Sequence, residues 1–221
     1  MNAIDRPTDM AELVIPGAPH VAQAGNALIA AADRSADDLL DKIDRHINGG
    51  MPYAELMGWI GHSLDRRKGF LLQRAVAAAI SCHDRYHVDE DVVIRFPRPQ
   101  AGQRRFQVDC MVFDRQRGAT SVFEVTHSLR RKTPVDLAHR IDKISDLLQD
   151  RAPPCGGDWD YPMVTFVTLD PADRLHPDLD ARLLTVEGLC RHLNLSAWWA
   201  IKAVMARFHY RFAQGMADVG L

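Results

Sequence analysis

Two carboxylates set inside apolar strands are the residues of this chain best suited to chemistry. Asp109 lies in Arg-Phe-Gln-Val-Asp-Cys-Met-Val-Phe, and Glu124 lies in Ser-Val-Phe-Glu-Val-Thr. An ionised acid in such a setting is costly unless it is paired or bound to a cation. A short turn containing Gly118 joins the two segments, so an antiparallel hairpin is expected. Alternation puts Gln107, Asp109 and Met111 on one face of the first strand, and Val122, Glu124 and Thr126 on one face of the second. If those faces coincide, the carboxylates converge. Hard oxygen donors of this kind suit Mg²⁺ or Mn²⁺. A divalent ion there would suit phosphodiester hydrolysis. The alternative is an acid pair satisfied by Arg104, Arg105 or Arg130.

The charge distribution favours an anionic partner. The chain of 221 residues has a net charge of −2, yet Arg95 to Lys143 carries 11 Lys and Arg against 5 Asp and Glu. That is a local +6, leaving −8 elsewhere. A basic segment in an acidic chain marks a candidate phosphate track. Its members are Arg104, Arg105, Arg130, Arg131 and Arg140. A nucleic acid is the expected partner. The competing reading is a solvated basic surface.

Positioning these residues requires a particular series of elements. Met1 to about Ala32 reads as a partly extended arm. Ser35 serves as N-cap for a helix with Leu39, Leu40, Ile43 and Ile47, ended by Gly49-Gly50. Pro52 opens a short helix from Tyr53 to about Leu64. A further helix runs from Gly69 to about His83. Strands follow at Val92 to Phe96, Arg105 to Phe113 and Thr120 to Thr126. Pro134 suits the first turn of a helix reaching about Leu148. Met163 to Leu169 forms a fourth strand, and helices from Thr185 to about Leu193 and from Ser196 to about Ala217 close the chain. The expected division is an N-terminal arm with helices over 1–66, a core over 67–170 and a helical extension over 171–221.

Helix, three strands bearing Asp109 and Glu124, helix and strand: this order over Gly69 to Leu169 resembles the core of the PD-(D/E)XK nuclease superfamily. The resemblance implies an α/β (α+β) fold with a restriction-endonuclease-like αβββαβ core around a mixed central sheet. It implies a Mg²⁺- or Mn²⁺-dependent nuclease of bacterial type, with Asp109 and Glu124 as metal ligands. The family's lysine falls at position 126, where this chain has Thr126. The compensating cation would be Lys132, in the loop after the third strand, or Arg130 or Arg131. Arg140 sits about 100° from Ile141 at the edge of its helix's apolar stripe, where it reaches over the sheet. Lys143 falls on the solvated side. Many members carry a glutamate on the first helix, where Gln73 stands here. Gln73 would bind a metal-bound water or a carboxylate, or lie at the rim of the helix contact. A degenerate, non-cleaving relative that binds nucleic acid or protein is the second reading.

Other motifs carry less. His83-Asp84 lacks the all-helical partners of an HD phosphohydrolase, and His83 with His87 reads as a pair at a helix end. His127 lies on the face opposite Glu124. No phosphate loop and no GxSxG elbow is present. Cys82, Cys110, Cys155 and Cys190 form no CxxC pair, so a reducing cytoplasm is the default expectation; Cys110 reads as core packing. No run of about 18 apolar residues suggests a membrane span. In the last helix, Trp198, Ile201, Met205, Phe208 and Phe212 share a stripe. This stripe is expected to be buried or to support a homodimer; exposed Trp199 or Tyr210 would favour a dimer contact or base stacking.

Overall fold

A computed structural model of the chain describes residues 19–95, 105–129, 132–154, 156–175, 179, 182–195 and 198–218. Five α-helices and five strands appear among them: α1 (Pro19–Asn48), α2 (Tyr53–Ser81), β1 (Tyr86–Arg95), β2 (Arg105–Asp114), β3 (Ala119–Thr126), α3 (Pro134–Leu148), β4 (Asp158–Thr168), β5 (Leu183–Thr185), α4 (Val186–His192) and α5 (Trp198–Asp218). The class is α+β, with a mixed sheet in the order β1-β2-β3-β4-β5. The first three strands are antiparallel; β4 runs parallel to β3, and β5 parallel to β4.

Helices cover both faces of the sheet. On one, Leu72, Val76 and Ile80 of α2 and Ile201, Val204 and Phe208 of α5 pack on Cys110, Val112, Phe123 and Val167. On the other, Leu137, Ile141, Ile144 and Leu148 of α3 pack on Met111, Val122, Val164 and Phe166. A smaller cluster of Leu39, Ile43, Leu56 and Ile60 joins α1 to α2. Burial on both faces explains why β4 reads as a near-continuous apolar run from Met163 to Val167.

Several expectations change. Residues 19–32, expected within an extended arm, are the first turns of α1. Ser35 is therefore no N-cap but a mid-helix residue, whose carbonyl and hydroxyl accept from Arg67. The two helices expected at Tyr53 to Leu64 and Gly69 to His83 are one continuous α2. Gly69 has open space around its Cα and interrupts nothing. The boundary expected between residues 66 and 67 falls inside this helix. His83 lies after α2 and His87 in β1, so they are not a helical pair. The first strand begins at Tyr86 rather than Val92, and β5 was not expected. By contrast, α3 has the expected bounds, with Pro134 in its first turn and a capping box between Thr133 and Asp136.

A regular strand keeps alternate residues on one face, and β1 breaks that rule. Tyr86 and Val88 join the α2–α5 core, whereas Val92 and Ile94 join the α3 core. Paired β2 breaks it opposite: Cys110 and Val112 face α2, but Val108 joins Met111 on the α3 side. Pairing continues across the break without an extra residue, from Glu90↔Cys110 to Val92↔Val108. Between them Asp91 has φ of +53°, a left-handed conformation uncommon outside glycine. The expected shared face of Gln107, Asp109 and Met111 therefore does not hold, because the strands change faces at the Asp91–Asp109 level.

Candidate carboxylate site

The site lies on the α3 side of the sheet, where β2 and β3 bring the two acids together. The β2–β3 register pairs Cys110 with Phe123. One step further along this antiparallel ladder sets Asp109 opposite Glu124. Asp109 Oδ2 accepts the Val125 backbone N–H at 2.7 Å. Glu124 is only 5 % exposed. Its Oε2 accepts from Nε and Nη2 of Arg140 at 3.1 and 2.8 Å, and its Oε1 is buried with no hydrogen-bond partner. A buried carboxylate oxygen without a donor is a costly feature that asks for a proton or a cation.

The electrostatics follow from this placement. Burial, and then the neighbouring Asp109 charge, push the Glu124 carboxyl up to about 7, with Arg140 and the backbone N–H of Asp109 pulling the other way, although no donor reaches Oε1 at hydrogen-bond geometry. Burial also raises the Asp109 carboxyl, offset by the Val125 N–H and by the Arg140 and Lys132 charges. Two acids that resist ionisation together are typical of a site built around a positive charge.

Two cations serve it. Arg140 reaches from α3 over the inner strands β2 and β3, as its projected position implied, and also donates to the Gln107 carbonyl at 3.2 Å. Among the described residues, Arg140 is the arginine hydrogen-bonded to Glu124. Lys132 is exposed as a residue, and its ammonium lies 5.2 Å from the centre of the Phe166 ring. Phe166 is the β4 neighbour of Glu124. Loss of solvent there lowers the Lys132 pKa, while the Glu124 and Asp109 charges raise it.

On the α2 side, Gln73 is 7 % exposed and turned to the sheet. Its Nε2 donates to Asp91 Oδ1 at 2.9 Å and to the Asp109 carbonyl at 3.2 Å. Gln107 Nε2 donates to the same Asp91 oxygen at 2.7 Å. Thr126 is buried, and its hydroxyl donates to the Ser128 carbonyl at 3.1 Å. His127 lies on the opposite side from Glu124, 3.4 Å from Asp65 of α2. Arg104, Arg130 and Arg131 lie outside the described residues, and only the backbone of Arg105 is described.

Asp91 and Gln107 are the members that sequence reasoning did not assign. A signal was available in Asp89-Glu90-Asp91, three acids in succession inside a strand. The donor set fits a hard cation in part. Asp109 and Glu124 supply two carboxylates, and Mg²⁺ is commonly held by one or two carboxylates with water and phosphate completing its shell. Among the described residues no group of three or more His, Cys, Asp or Glu is arranged to hold a metal ion. No helix there is long and apolar enough to cross a membrane. Comparison with family models, curated proteins and solved structures finds no match to this chain.

Proposed function

We propose that this chain is a Mg²⁺- or Mn²⁺-dependent nuclease with a PD-(D/E)XK-like core, acting on DNA in preference to RNA. The observation that carries the reading is the buried, partnerless Oε1 of Glu124, beside Asp109 and under two cations. The series α2-β1-β2-β3-α3-β4 over a mixed sheet agrees with the αβββαβ core. Asp109 and Glu124 would hold the ion. When bound, a divalent ion supplies Lewis acidity, favouring ionisation of water and neutralising charge on phosphoryl oxygens. Lys132 replaces the cation missing at Thr126: its ammonium is on the same side of the sheet as both acids and can bind a phosphate oxygen. Arg140 keeps Glu124 oriented through two N–H donors. Gln73 holds the Asp109 backbone.

One observation favours the second reading, a non-cleaving nucleic-acid-binding protein. Arg140 already partly neutralises Glu124, and Thr126 contributes no charge. Calorimetric titration with Mn²⁺, alongside a cleavage assay on single- and double-stranded DNA, separates the two. The nuclease reading expects Mn²⁺ binding that is lost in both Asp109→Ala and Glu124→Ala, and cleavage lost with it. It also expects Lys132→Ala to lower activity more than Lys143→Ala. Salt-sensitive DNA binding without Mn²⁺ binding or cleavage would support the second reading, with the salt slope falling by about one in Lys132→Ala.

A further inference from the structure

We propose that Asp91 is a positioning residue of the carboxylate site, its carboxylate tying the Gln73 and Gln107 amides beside the Asp109 backbone where β1 and β2 change faces. The proposal rests on reading Asp109 and Glu124 as cation ligands, since Asp109 is the group being positioned.

The residue type is the first argument. At φ of +53° a glycine would be free of the clash between Cβ and backbone that every L-residue meets. Aspartate and asparagine tolerate this region better than other residues, but glycine is the inexpensive choice. Asp91 is also exposed, so core packing does not account for it.

The second argument is what its carboxylate does. Oδ1 receives Gln73 Nε2 at 2.9 Å and Gln107 Nε2 at 2.7 Å. Gln73 is thereby held between Asp91 and the Asp109 carbonyl, 3.2 Å away. Asp109 in turn places Oδ2 on the Val125 N–H at 2.7 Å. The series Asp91, Gln73, Asp109, Val125 links α2 to three strands. It ends on the acid opposite Glu124. Without Asp91 the buried Gln73 amide would lose its shorter bond and the Asp109 segment would lose a fixed neighbour. The left-handed residue sits at the one level where both strands turn over, so its side chain and backbone act at the same place.

The test uses Asp91→Asn and Asp91→Gly in the full chain. Asparagine keeps an oxygen acceptor and tolerates the backbone; glycine suits the backbone and removes the tie. Two readouts are taken: Mn²⁺ affinity by calorimetry, and hydrogen exchange of the Val125 amide in metal-free protein. Asp91→Gly should weaken Mn²⁺ binding by about tenfold or more, the usual cost of losing an outer-shell partner. It should also lower Val125 protection by about tenfold while Val122 and Phe123 stay protected. Asp91→Asn should remain within about threefold of wild type on both, because the acceptor is retained. Wild-type behaviour of Asp91→Gly on both readouts would overturn the proposal. So would an Asp91→Asn protein as impaired as Asp91→Gly, which would assign the effect to negative charge instead of the amide tie. If the wild type binds no Mn²⁺ while Asp91→Gly still exposes Val125, the positioning role stands and the cation-site reading fails. Should Asp91→Gly not fold, Gln73→Leu decides, because it removes the link between Asp91 and the Asp109 carbonyl: unchanged Val125 protection there defeats the proposal.

Discussion

Glu124 makes the stability of the metal-free protein depend on pH in an unusual direction. Its carboxyl titrates near 4.5 when unperturbed and at about 7 in the fold. Between those values the folded protein holds a proton that the unfolded chain has released. Stability therefore falls as pH rises through the window, by on the order of 3 kcal/mol from this one group. Asp109, raised by burial, acts in the same direction. Asp114, held low by Arg85, acts oppositely and below the window. His127 and His209, both lowered by burial, act against this in the same window, so the Glu124 contribution is read by difference: between about pH 5 and pH 8 the urea midpoint of metal-free wild type should drop relative to that of Glu124→Gln. Parallel pH profiles of wild type and Glu124→Gln would assign the titration to another group. Both acids were legible in the sequence because a carboxylate in an apolar strand is conspicuous. Asp91 was not, since its role depends on a backbone angle that no residue pattern announces and on partners 18 and 16 residues away.

Among the elements, α3 was the most legible because its end signals are local: Thr133 and Asp136 cap it, Pro134 begins it, and Leu137, Ile141, Ile144 and Leu148 face one way. The start of α1 was obscured by an Ala-rich run without a charged face, and Ser35 resembled a cap. β5, only three residues long, owes its existence to pairing with Phe166, Val167 and Thr168, which lie far from it in sequence. The β3–α3–β4 crossover has a tight point of its own. Gly157 has φ of +70°, and a Cβ there would lie 2.0 Å from the Gly118 carbonyl oxygen. That oxygen also accepts the Asp158 N–H at 2.9 Å, fastening the start of β4 to the β2–β3 turn. Gly157→Ala should cost more than about 1 kcal/mol, through both the clash and the backbone angle. Chemical denaturation measures this, and a variant as stable as wild type would show that the turn can shift away.

At the scale of the molecule, the helices at either end of the described chain close over one face of the sheet. Arg207 and Arg211 of α5 pair with Asp33 and Asp37 of α1, and Phe208 is fully buried among α2, α5 and the strands. Of the stripe expected on the last helix, Ile201, Met205 and Phe208 are buried within this chain, while Tyr210 is exposed and the side chains of Trp198 and Trp199 lie outside the described residues. Phe208→Ala should destabilise the whole fold by about 3–5 kcal/mol. Far-UV circular dichroism and fluorescence should still report one coincident transition; separate transitions would mean that the helical cover unfolds apart from the sheet. The change of face at Asp91 bears on how such a chain reaches its fold. Val88, Val92 and Ile94 share the parity of an ordinary amphipathic strand, so the sequence of β1 suits an untwisted hairpin as well as the native one. In the native strand that parity is divided at the left-handed Asp91, with Val88 on the α2–α5 core and Val92 and Ile94 on the α3 core, so both faces of the sheet draw apolar cover from one run of alternate residues.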